Sequence, residues 1–261
     1  MIGNKDGYAL VTGASSGIGY ELAKLFAKDG RNLVVVARSQ DKLEGLKTEI
    51  ESKYGTDVVV LPKDLSDPDA PQEIFSQLEK GNINVDILVN NAGIALYGMF
   101  SETNWQREAE IIQVNISSLT HLTKLFLKKM LENKSGKIMN VASGIAFFPG
   151  GPLWSVYAAT KSYVLHFSEA LANEVQGTGV SVTCFCPAAT RSLFWERANG
   201  EDCKAGQRRL MDTATAARVG YAALRKGKAV AIAGLFQRLM VFLSRLAPRG
   251  FVTRITRLML E

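Results

Sequence analysis

This chain predicts an α/β fold, with one parallel β-sheet covered by helices on both faces, and three observations carry that expectation. Short apolar runs alternate with amphipathic stretches of helical period from Tyr8 to Cys186. The runs are close to continuous rather than alternating, as strands buried on both faces read. The residues with distinctive chemistry collect where the runs end, which is where open parallel sheets bind their ligands.

The elements follow in order. Residues 8–12 form a short strand, then a glycine turn, then a helix over 18–28 with Ile18, Leu22, Leu25 and Phe26 on its apolar face. Residues 33–37 are a nearly unbroken β-branched strand, followed by a helix over 41–54. Strand 58–61, helix 70–79 and strand 87–90 come next, then one long helix over 105–131 and strand 138–141. Helix 154–175 and strand 180–186 complete the alternation. Strands joined through helices imply right-handed crossovers, and so a doubly wound parallel sheet of Rossmann type.

The 261 residues suit one domain, with residues 1–234 as its body and 235–261 as a helical C-terminal extension. With 47% hydrophobic and 21% charged residues, disorder is excluded. No apolar run approaches the ~20 residues that cross a bilayer. The first apolar run leads straight into the glycine turn, so no secretory signal is expected and the location should be cytoplasmic. Cys184, Cys186 and Cys203 make no disulfide framework. They also lack a matching His/Cys cluster for zinc, so Cys184 and Cys186 read as small apolar side chains on one face of a buried strand. The net charge of +6 is uneven: from Thr213 onward nine Arg/Lys face one acid. That charge accompanies apolar helices rather than stacked aromatics, which argues against nucleic acid as partner.

Gly13, Gly17 and Gly19, with Ser15, Ser16 and Ile18 between them, join the first strand to the first helix. Such glycines permit a tight turn, admit a pyrophosphate and let the helix pack closely, while the helix N-terminus offers free N–H groups. After the second strand stands Ala37, where a carboxylate would hold a ribose 2′-hydroxyl, and then Arg38 and Ser39, which suit a 2′-phosphate. Tyr157 and Lys161 lie one helical turn apart on one face. A cation beside a phenol favours the phenolate and draws its pKa toward the working range.

These spaced motifs resemble the short-chain dehydrogenase/reductase family over about residues 7–235. The resemblance rests on Thr12-Gly13…Gly17-Ile18-Gly19, Asn90-Asn91-Ala92-Gly93, Asn115, Ser143 and Tyr157…Lys161. It implies NADP(H) as the preferred cofactor, with NAD(H) possible, and hydride transfer between nicotinamide and a carbonyl or alcohol. By the same resemblance Tyr157 gives the proton and Ser143 holds the substrate oxygen. Lys161 donates to the nicotinamide ribose, and Asn115 helps hold a water that relays protons to Lys161. Asp64 and Leu65 should border the adenine, and Asn91, with Ala92 and Gly93, should support the cofactor turn or serve the fold alone.

The chain departs from the family after the sixth strand. Pro187 is followed by Ala188 where the family has glycine, a position that is strained if it requires positive φ. Thr190 or Ser192 supplies the hydroxyl for the nicotinamide carboxamide, and alignment favours Ser192. Residues 188–212 form the expected substrate lid, with Phe194 and Trp195 among Glu196, Arg197, Glu201, Asp202, Arg208 and Arg209. With Phe147, Phe148, Leu153 and Trp154 they suggest an apolar substrate or a packed lid. Gly150-Gly151-Pro152 reads as a loop lining the pocket, and His121 and His166 as packing or solvent-facing residues.

In the extension, Leu235, Leu239, Phe242, Leu243 and Leu246 recur at helical spacing with Arg238 and Arg245 on other faces. Pro248-Arg249-Gly250 separates a second apolar stripe edged by Arg254 and Arg257. Packing on its own domain or on another subunit of a homodimer or homotetramer is the favoured reading. Weak peripheral association with anionic lipid is the other. The competing function is a non-catalytic NADP(H)-binding sensor of the same fold.

Overall fold

Each strand the apolar runs predicted forms, and a seventh joins them. The computed structural model describes residues 7–201, 203–207 and 210–260, so Asp202, Arg208 and Arg209 of the expected lid lie outside the described residues. Strands β1 (Tyr8–Thr12), β2 (Asn32–Ala37), β3 (Val58–Pro62), β4 (Val85–Asn90), β5 (Gly136–Val141), β6 (Val180–Cys186) and β7 (Val230–Ile232) make one sheet. Its order is β3-β2-β1-β4-β5-β6-β7, and every neighbouring pair is parallel. The winding reverses between β1 and β4, the switch point at which such sheets open a crevice. Strand β7 has only three residues, too few for a period to show in the sequence.

Alternation along each strand feeds two cores. Ala9 and Val11 of β1 face one side, where α1 (Gly17–Lys28), α2 (Gln40–Tyr54) and α9 (Thr213–Arg225) bring Leu22, Phe26, Leu43 and Ala217. Leu10 faces the other, where α3 (Ala70–Lys80) and α5 (Leu119–Glu132) bring Ile74, Leu122 and Phe126. Helix α6 (Ser155–Glu174) packs against β6 on this second face. Each buried Leu, Val or Phe here contributes about 1.5–3 kcal/mol relative to exposure.

The expected single helix over 105–131 is instead three segments. Helix α4 (Trp105–Ile112) runs into a π-helical turn, Gln113–Ser118, before α5 begins. The widened turn carries Asn115, whose amide is engaged by a loop outside the helix. A hydrophobic period continues through such a turn unchanged, so the sequence shows no sign of it. Helices α10 (Leu235–Leu246) and α11 (Arg249–Leu260) follow Gly234, which bends the chain at φ 90°. Among the described residues no helix is long and apolar enough to cross a membrane. Cys184 and Cys186 are free and buried, with their Sγ atoms 3.7 Å apart, as small side chains on one face of β6.

Candidate active site

A cavity of about 860 Å³ opens at the carboxyl ends of β1, β4, β5 and β6. Of the site residues nominated from the sequence, Gly19, Ser39, Asp64, Leu65 and Asn115 stand outside its wall, and the rest line it.

At one end lies the glycine turn. Gly13 and Gly17 have φ +67° and +64°, in the left-handed region that side chains other than glycine rarely adopt. A Cβ on Gly19 would sit 2.4 Å from both the Gly13 carbonyl oxygen and Asn91 Nδ2, so glycine here serves close packing rather than ligand approach. Asn91 fastens the turn: its Nδ2 donates to the carbonyls of Thr12 (2.9 Å) and Gly13 (3.3 Å). Thr12 completes the clasp, its Oγ1 accepting from the Asn91 and Ala92 amides at 3.0 Å. The turn therefore holds its shape through contacts between β1 and β4. Ser16 caps α1 in extended conformation without a side-chain bond to the helix, and the first turn of α1 carries no acid. The α1 N-terminus thus presents unpaired amides and a positive dipole end beside Ser15 and Ser16. This donor set, with two left-handed glycines, fits a dinucleotide pyrophosphate.

Arg38 follows β2 at the rim, 62% exposed, with Nη1 3.9 Å from Asp64 Oδ2. Ser39 caps α2, Leu65 is buried, and the Leu65 carbonyl accepts from Ser118 Oγ at 2.7 Å. Asp64 and Leu65 are thus anchored beside Arg38, just outside the enclosed space.

Midway along the cavity Tyr157 and Lys161 project from α6, and Ser143 from the end of β5. Ser143 stands close enough to the Tyr157 phenol to favour its ionised form, yet burial outweighs it and pushes the phenol up to about 12. Burial pushes Lys161 down to about 8. Its Nζ donates to the Val141 carbonyl at 2.9 Å and lies 5.8 Å from the centre of the Tyr157 ring. In this arrangement the ammonium is directed at Val141, and desolvation decides both groups. Asn115 is fully buried: Oδ1 accepts from the Ile94 amide (3.0 Å), and Nδ2 donates to the Ile94 carbonyl (2.9 Å) and Thr160 Oγ1 (3.0 Å). Its side chain therefore holds the β4–α4 loop to α6. A Cβ on Gly93 would come within 3.1 Å of Lys161 Nζ and 3.3 Å of Asn115 Oδ1, so that glycine makes room for the lysine.

After β6 the backbone at Ala188 is not left-handed, so the strain considered for its side chain does not arise. Thr190 Oγ1 turns back to the Ala188 carbonyl at 2.7 Å, while Ser192 lies against Gly17. The lid is a loop whose two ends meet in a single parallel bridge between Thr190 and Met211. It contains the short helices α7 (Phe194–Arg197) and α8 (Lys204–Gln207). Trp154 is the hub of its packing: it stacks on Phe194 at 6.1 Å and meets Tyr97, Tyr157 and Trp195. Phe194 also reaches the Tyr157 ring, at 5.4 Å.

Sequence reasoning missed part of this wall. Arg107 of α4 reaches the cavity, as do Leu235, Phe236 and Gln237 of α10 and Met259 and Leu260 of α11. The Leu260 carbonyl accepts from Cys203 Sγ at 3.3 Å, so α11 also braces the lid. Nothing in the periodicity of those helices identifies the domain they fold back on. Gly150 and Gly151 do not line the cavity as expected, because Thr253 and Leu260 of α11 pack over them.

Comparison with known proteins follows the same lines. The family model described as short chain dehydrogenase matches residues 7–202. The very-long-chain 3-oxoacyl-CoA reductase of Pyrenophora tritici-repentis is 37% identical over 187 residues, covering 70% of this chain and 54% of its own. The human 17-beta-hydroxysteroid dehydrogenase type 3 is 36% identical over 194 residues, covering 74% and 62% respectively. The chain thus matches little more than half the length of these curated relatives. Among solved structures, a short-chain dehydrogenase from Sphingobium yanoikuyae in complex with NADPH superposes with a TM-score of 0.82 at 30% identity. That match covers 92% of this chain and 94% of that one.

Proposed function

The chain belongs to the short-chain dehydrogenase/reductase family, and we propose that it is an NADPH-preferring reductase that converts an apolar ketone, aldehyde or ketoacyl-type carbonyl to the alcohol. One observation carries the reading. The Tyr157 phenol stands with Ser143 in the cavity wall, between the glycine turn and an aromatic lid.

NADPH, when bound, supplies the hydride. The turn from Gly13 to Gly19, with Ser15 and Ser16, would hold the pyrophosphate. Arg38 would take the 2′-phosphate, since Ala37 offers no carboxylate to favour the 2′-hydroxyl, and NADH would bind more weakly. Lys161 would donate to the nicotinamide ribose, and Ser192, free of the tie that occupies Thr190, would serve the carboxamide. Ser143 holds the substrate oxygen beside Tyr157. Tyr157, its pKa raised to about 12, keeps its proton at neutral pH. It gives that proton to the alkoxide as charge develops, a downhill transfer because an alkoxide is far more basic than a phenolate. Phe194, Trp154 and Trp195 exclude water over the reacting carbonyl. The names of the two curated relatives, an acyl-CoA reductase and a steroid dehydrogenase, both fit an apolar carbonyl lying against such a lid.

The test follows NADPH absorbance with long-chain 3-oxoacyl thioesters, cyclic ketones and aldehydes, for the wild type and Tyr157→Phe. Turnover that falls about 10²–10⁴-fold in the variant while NADPH still binds is expected. NADPH binding without turnover on any carbonyl would move the reading to a sensor.

A further inference from the structure

Helix α10 lies on the domain with its apolar face turned outward. At about 100° per residue, Leu235, Phe236, Leu239, Phe242, Leu243 and Leu246 share an arc of roughly 120°. All six are exposed, from 47% at Leu243 to 82% at Leu235. The opposite side meets the protein through Val241, which is 4% exposed, and through Gln237, whose side chain packs on Gly144. Intramolecular packing therefore does not account for the leucines and phenylalanines of this helix. On α11, Phe251 and Leu258 are likewise exposed, while Val252, Thr256 and Leu260 turn inward. A contiguous stripe of this kind is rare on the surface of a soluble chain without an occupant.

The charge around the stripe identifies that occupant. Residues 235–260 contain Arg238, Arg245, Arg249, Arg254 and Arg257 and no acid, and all five arginines are exposed. A second copy of this chain docked face to face across a two-fold axis would set cation against cation, because such a contact pairs a patch with itself. An anionic lipid surface complements both features, with apolar side chains entering the acyl boundary and arginines meeting the headgroups. Among the described residues no helix is long and apolar enough to cross the bilayer. We propose that α10, assisted by the arginines of α11, docks this protein on an anionic lipid bilayer surface. Leu235 and Phe236 also line the cavity, so the docked helix stands between the cavity and the lipid. The proposal rests on this face alone, and it holds or fails independently of the redox reading.

Co-flotation of the full chain tests it, with vesicles of phosphatidylcholine alone and of phosphatidylcholine mixed with phosphatidylserine. The wild type should float with the anionic vesicles, and far less with the neutral ones. Leu239→Glu combined with Phe242→Glu and Leu246→Glu changes only exposed positions away from the cavity, and should lower partitioning more than about tenfold. Arg245→Gln with Arg249→Gln and Arg254→Gln should also lower it more than about tenfold at low salt, with a weakened salt dependence. Circular dichroism confirms that each variant is folded. Wild type that stays in the dense fraction with both vesicles, or a glutamate variant that floats as the wild type does, would overturn the proposal. So would a wild type that fails to float and forms a dimer that the glutamates dissolve, which would assign the face to a second copy.

Discussion

The two ends of the cavity are held by different physics. At the glycine turn the shape is set by backbone: left-handed Gly13 and Gly17, the Asn91 amide on two carbonyls, and Thr12 on two amides. At the lid the shape is set by side chains, with Trp154, Phe194 and Trp195 packed over Tyr157 and α11 bracing the loop from behind. Directional bonds with fixed partners admit one geometry, whereas aromatic packing accepts substitutes of similar volume. The cofactor end should therefore fail as a unit when altered, and the lid should retune.

The sharpest way to break that contrast is at Gly19. Its substitution by Ala drives a Cβ into the Gly13 carbonyl and the Asn91 amide. Stability should fall by about 1–3 kcal/mol in urea unfolding, with NADPH affinity lost alongside. If Gly19→Ala instead unfolds at the wild-type midpoint and binds NADPH normally, the turn is softer than its hydrogen bonds imply.

Arg38→Leu acts at the same end without touching the backbone. The KM for NADPH should rise about ten- to hundredfold, the range for losing a hydrogen bond to a charged group, while the KM for NADH stays put. Equal effects on both cofactors would place Arg38 outside phosphate recognition. At the lid, Phe194→Ala should shift the ranking of carbonyl substrates and change KM by roughly tenfold, with NADPH affinity unaltered. A loss of NADPH binding in this variant would erase the distinction between the two ends.

A pH-dependent effect belongs to Lys161, buried where the two ends meet. Its pKa in the fold is about 8, below the ordinary 10.5, so between these values the unfolded chain binds more protons. Wild-type stability relative to Lys161→Met should therefore rise as pH increases from about 8 toward 10. Tyr157, raised from 10.0 to about 12, acts oppositely and only above pH 10. Unfolding curves over pH 7–10 check the sign, and a flat difference would mean that Lys161 keeps its ordinary pKa.

Much of this was legible in the residues. Apolar runs of strand length separated by helical periods specify the winding, because a strand buried on both faces cannot alternate with polar residues. The glycine spacing of the first turn and the Tyr157–Lys161 interval are local features, set by a few consecutive residues, and they brought the expected groups to one cavity. Relations between distant segments were not legible. The π-helical turn exists where Asn115 bonds to Ile94, twenty-one residues away, and Lys161 is aimed by a carbonyl of β5. The period of α10 marks an apolar face, and the same period would serve a face turned toward the core. Only the tertiary structure turned it outward and set the ends of α10 and α11 in the cavity wall. Periodicity records which side chains share a side of a helix, whereas the surface each side meets is decided by packing the whole chain at once.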